Sequence, residues 1–83
     1  MKHNYINDDI IIDFPVPDSL KRAFQDAEEQ DAEKSIVYLR SCELIDVTCK
    51  NCYAAGKISQ EQWDIITAKY SDAGYFNSLK RGQ

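Results

Sequence analysis

Cys49 and Cys52 stand three residues apart, the spacing of a redox dithiol or of half a zinc site, and Cys42 lies seven residues upstream of the first. A redox pair works when its first cysteine sits at a helix N-terminus, where the helix dipole lowers the thiol pKa. The surrounding pattern instead places Cys49-Lys50-Asn51-Cys52 near the C-terminal end of a long helix, where the dipole acts in the opposite sense. A structural zinc site needs four ligands. The chain offers three cysteines and a single histidine, His3, far away at the N-terminus. Cβ atoms three apart on a helix are roughly 5–6 Å apart, whereas a disulfide holds them about 3.8 Å apart. The expectation is therefore three reduced thiols, no metal and no cofactor, with Cys42, Cys49 and Cys52 serving as small buried apolar groups.

Other catalytic arrangements are equally hard to assemble. The three glycines are widely separated and make no phosphate-binding loop. One terminal histidine is a poor general base, and no nucleophile has a base at a recognisable spacing. The carboxylates Asp26, Glu28, Glu29, Asp31 and Glu33 read as a solvated helix end. A helical hairpin around Gly56 invites a DNA-reading interpretation. Its second helix, however, would present Gln60, Glu61, Gln62 and Asp64 with one late cation, Lys69, and this weighs against contact with phosphates. The expectation is a protein that is not an enzyme.

These residues are positioned by elements written plainly in the apolar pattern. Asp9 to Phe14 is β-branched and apolar, and Pro15-Val16-Pro17 continues it as extended backbone. Residues 1–8 are polar and read as frayed. Asp18 is the expected N-cap of a first helix, along which Leu20, Ala23, Phe24 and Ala27 recur at helical spacing to about Gln30. The stripe lapses near Asp31, which could cap a new start. A second helix is expected from about Glu33 to Ala55. Its stripe is Tyr38, Cys42, Ile45, Cys49, Cys52 and Tyr53, and Ile36, Leu39, Leu44 and Val47 are expected to broaden it.

Gly56 is placed to end that helix with a left-handed backbone. Ser59 then caps a third helix, Gln62 completes a capping box, and Ile58 can staple onto Trp63. Trp63, Ile66 and Tyr70 line its buried face. Tyr75, Phe76 and Leu79 can add a final turn. The organisation expected is an extended N-terminal arm (1–17), a helical domain (18–79) and a flexible tail (80–83). The fold class is all-α, a small three-helix bundle with that arm.

Composition agrees with a small folding domain. The chain has 83 residues, 43% of them hydrophobic and 11% aromatic, enough apolar material for one small core. The net charge of −4 is spread along the chain rather than concentrated, so it reads as an ordinary solvated surface that repels nucleic-acid backbones. No signal-peptide-like core or membrane-span-length apolar run is present in the sequence, and the cytoplasm is the expected compartment.

The segment from Cys52 to Tyr70, with Tyr53, Gly56-Lys57-Ile58-Ser59, Trp63 and the closing Lys69-Tyr70, resembles the end of small helical proteins common on phages and integrated elements of low-GC Gram-positive bacteria. It is also similar to the helical hairpin of SHOCT (short C-terminal) domains. The shared positions are turn and core residues, so the resemblance implies a small accessory protein and carries no active site with it.

The functional expectation is a protein–protein interaction module with an unidentified protein partner. Its candidate contact surface is Ile10, Ile11, Ile12 and Phe14 of the arm, or an apolar helix face. Pairing of two arms into a homodimer is a specific form of that expectation, because a lone extended segment has unpaired backbone groups to offer. Two alternatives are a nucleic-acid-associated regulator using the hairpin, and an acidic inhibitor or immunity-type protein.

Overall fold

α1 (Asp18–Ala32), α2 (Tyr38–Ala54), α3 (Gln60–Lys69) and the short α4 (Ala73–Arg81) follow one another in the computed structural model, which describes residues 3–81. The fold is all-α: α2 lies between α1 and α3 as the middle of a three-helix bundle. Among the described residues there is no strand. Lys80 and Arg81 belong to α4 and are not part of a tail; the remainder of the expected tail lies outside the described residues.

The core follows the narrow stripes. Leu20, Ala23, Phe24 and Ala27 of α1 meet Tyr38, Ile45, Cys49 and Cys52 of α2, and Ile58, Ile66 and Tyr70 close the other side. Phe24 and Tyr70 stack with centroids 4.7 Å apart and planes 9° apart, an aromatic contact that adds to the buried area in a small core.

Four local expectations need correction. First, α1 begins one residue earlier than a capping Asp18 would allow: Pro17 is the N-cap, and Asp18 is the first helical residue. Second, α2 does not start near Glu33. A tight turn separates the helices, and Lys34 occupies the left-handed region at φ 52. The Lys34 N–H donates to the Asp31 carbonyl and the Ser35 N–H to the Gln30 carbonyl, the paired bonds of a Schellman stop. The glycine that usually marks such a stop is missing, so the sequence places the break a few residues early, near Asp31 rather than at Lys34. Third, Ile36, Leu44 and Val47 do not broaden the buried face of α2 but are exposed. Tyr53 is also exposed, and it packs against Trp63 with centroids 5.6 Å apart. Fourth, the segment before Asp9 is not frayed where it is described: Ile6 is part of the core.

The α2–α3 hairpin has a well-formed stop and start. Gly56 takes φ 74; its N–H donates to the Tyr53 carbonyl and the Lys57 N–H to the Cys52 carbonyl at 2.8 Å, a second Schellman motif. Ser59 Oγ accepts from the Gln62 N–H, and Gln62 Oε1 accepts from the Ser59 N–H, so both halves of the capping box are present. Trp63 is half-buried, and its indole Nε1–H donates to Asp46 Oδ1 at 3.1 Å.

Candidate interaction arm and its anchor

Asp31 lies one helical step beyond the apolar stripe of α1, following Leu20, Phe24 and Ala27 at spacings of four, three and four residues. That phase carries it into the core, where it is 1% exposed. A buried carboxylate is costly unless its oxygens are hydrogen-bonded. Here the partners are three successive backbone N–H groups of the N-terminal segment. Asn4 donates to Oδ2 at 2.9 Å, while Tyr5 and Ile6 donate to Oδ1 at 2.5 and 3.1 Å. The Asn4 side-chain amide adds a bond to the Asp31 carbonyl at 2.7 Å. Asp31 is thus neither a helix cap nor part of a solvated acidic end; it ties residues 4–6 to the bundle. Its neighbours in that acidic run also have partners: Ser41 Oγ donates to Asp26, and the Tyr70 hydroxyl donates to Glu28.

Two further contacts hold the arm. The Tyr5 ring sits between Tyr38 and Tyr75, with centroids 5.1 and 5.2 Å away. α4 approaches so closely there that a Cβ on Gly74 would collide with the Tyr5 carbonyl oxygen. Lys69, in the last turn of α3, donates from Nζ to the carbonyls of Asn7 and Ile10 at 3.2 and 2.7 Å, and the Asn7 N–H returns a bond to the Lys69 carbonyl at 3.0 Å. Next to these, His3 and Asp8 pair at the surface. The hydrogen bond from the His3 side chain, helped by the His3 N–H, holds the Asp8 carboxyl below its ordinary value.

Beyond Ile10 the arm changes character. Ile12, Phe14 and Val16 pack partly against the core, and Ile10 is half-buried. Ile11 points the other way and is 74% exposed. From Ile11 to Phe14 no backbone N–H or carbonyl makes a hydrogen bond among the described residues. The alternation expected from the sequence is therefore present in this stretch as an alternation of burial, in irregular backbone that bends at Phe14 rather than in a paired strand. The residues that fix it in place were missed. Their signals were the phase of Asp31 on the α1 stripe and a glycine, Gly74, inside a helical turn.

The three cysteines and His3 are not brought together: no group of three or more His, Cys, Asp or Glu side chains able to hold a metal occurs among the described residues. Cys49 and Cys52 are buried, Cys42 is half-buried, and none forms a disulfide. Burial pushes the Cys49 thiol up to about 12, so it stays protonated and poorly nucleophilic at neutral pH. No buried side-chain nitrogen or oxygen lacks a hydrogen-bond partner among the described residues. Among the described residues no helix is long and apolar enough to cross a membrane. Comparison with protein-family models, with curated proteins and with solved structures finds no match to this chain.

Proposed function

We propose that this chain is a non-enzymatic protein–protein interaction module whose contact surface is the arm from Ile10 to Phe14. The observation that carries the reading is the state of that segment: an exposed Ile11 whose backbone N–H and carbonyl make no hydrogen bond among the described residues, beside half-buried Ile10, Ile12 and Phe14. Free edges of this kind accept an added strand from another protein, where main-chain bonds give affinity and alternate side chains give specificity. The anchor supports the same use. Asp31 and Lys69 fix both the position and the direction of the arm before any partner arrives, which reduces the ordering cost of binding.

The test is affinity capture from the native host with the full chain and with its Ile11→Asp variant, followed by titration of the captured protein against both. The side chain is exposed, so the variant should fold normally, and it should weaken binding at least about tenfold by placing a charge in the contact. Equal binding by both chains would remove the arm from the interface. Retardation of random duplex at low salt would favour the nucleic-acid reading, because non-specific binding is electrostatic and strongest there.

A further inference from the structure

The outward face of α2, with its N-cap Val37, carries a second stripe, apolar at its centre and its two ends, that the bundle does not use. Val37, Arg40, Leu44, Val47, Asn51 and Ala54 recur at alternating spacings of three and four, the repeat of a coiled-coil seam, and all six are exposed. Leu44 and Val47 at its centre are 48% and 54% exposed. Glu43 and Lys50 flank this centre on one side, also exposed. The ion pairs among the described residues are His3–Asp8 and Lys21–Asp18, so Glu43 and Lys50 enter neither.

We propose that this face is a homodimer interface in which α2 of one copy lies antiparallel to α2 of a second copy. Direction follows from charge. In the antiparallel arrangement Leu44 meets Val47 of the second copy, and Val47 meets Leu44, about a two-fold axis. Glu43 then stands beside Lys50 of the second copy, and the axis repeats that pair, while Arg40 faces Asn51. A parallel arrangement would instead set Arg40 against Arg40 and put Thr48 and Ala55 opposite Glu43 and Lys50, with no ion pair formed. A two-fold interface must be self-complementary, and only the antiparallel arrangement is. The apolar centre is small, so the dimer is weak and depends on concentration. The surface is separate from the arm, and its test is independent of the arm's role.

Sedimentation of the full chain over a range of concentrations, at low salt, reads the equilibrium directly. Leu44→Asp should abolish the dimer, and Ile11→Asp should leave it intact; circular dichroism confirms the fold of each. Glu43→Lys replaces two attractive pairs by two repulsive ones, as does Lys50→Glu, and each alone should weaken self-association about tenfold. An equal mixture of these two variants should recover the dimer, because each then faces opposite charge across the axis. A chain that stays monomeric at every attainable concentration overturns the proposal. So does a dimer that survives Leu44→Asp, a mixture no tighter than its components, or a different protein occupying this face while the chain remains monomeric.

Discussion

Asp31 organises more of the molecule than any other single side chain, and its removal should be costly. In Asp31→Ala the N–H groups of Asn4, Tyr5 and Ile6 lose their acceptor, the Ile6 group in a buried site and the other two in a part-buried one. At ~1–3 kcal/mol for each orphaned group that water cannot reach, and with the arm free to detach and solvate some of them, the loss expected by urea denaturation is about 2–4 kcal/mol. Asp31→Asn keeps one carbonyl oxygen for Tyr5 and Ile6 but turns an amide toward Asn4, so its loss should be about half as large. A carboxylate serving only as a solvated helix end would give less than ~0.5 kcal/mol for either change. Lys34 presents the opposite case. It sits at φ 52, a region that glycine enters without steric cost, so Lys34→Gly should stabilise the chain by about 0.5–1 kcal/mol. Neither role was legible from residue type alone. Asp31 was recognisable by its phase on the α1 stripe, whereas nothing local distinguishes a lysine that will take a left-handed backbone.

At the scale of elements, legibility depended on whether a stop or start was written in side chains. The α2–α3 hairpin was readable because Gly56, Ser59 and Gln62 each have a specific conformational reason to be there. The α1–α2 turn uses the same pair of backbone bonds with no glycine, and the sequence therefore placed the break a few residues early, near Asp31. The breadth of the buried face of α2 was overestimated because leucine and valine signal burial by type, while only their angular position decides it. Leu44 and Val47 lie outside the arc defined by Tyr38, Ile45, Cys49 and Cys52. Two substitutions separate the kinds of glycine found here. At Gly56 a Cβ would meet nothing within 4 Å, so Gly56→Ala should cost only the left-handed backbone penalty, about 1 kcal/mol, with the fold unchanged. At Gly74 the Cβ would collide with the Tyr5 carbonyl, so Gly74→Ala should push α4 away from the arm. The expected signature is a loss of about 1–3 kcal/mol, with chemical-shift changes concentrated in Tyr5, Tyr38 and Tyr75 rather than in the α2–α3 hairpin. Shifts spread evenly through the chain would contradict that close approach.

The core of the whole molecule includes two buried phenol rings and a buried thiol, and these give its stability a characteristic dependence on pH. Tyr38 and Tyr70 are buried in the core, with Tyr38 donating to the Ser71 carbonyl at 3.2 Å and Tyr70 to Glu28 at 3.2 Å. Burial holds both phenols well above their ordinary 10.0, and the nearby Glu28 carboxylate raises Tyr70 further. Cys49 is raised from 9.0 to about 12 by the same burial. All three are neutral acids that the folded state keeps protonated. The stability they contribute is therefore complete below the unfolded values of 9.0 and 10.0, and it is lost as pH climbs from there toward the folded values. Above about pH 9 the unfolded chain binds fewer protons than the folded one, so unfolding free energy must fall as pH rises. Urea midpoints should accordingly be flat near neutrality and decline steeply toward about pH 11. Phenolate absorbance from Tyr38 and Tyr70 should appear only together with unfolding. Tyr70→Phe removes one of the responsible groups and its bond to Glu28; it should cost about 1 kcal/mol at neutral pH and make the alkaline decline shallower. If Tyr38 and Tyr70 ionised near pH 10 in a chain that remained folded, their rings would not be buried as described and the core would need a different arrangement.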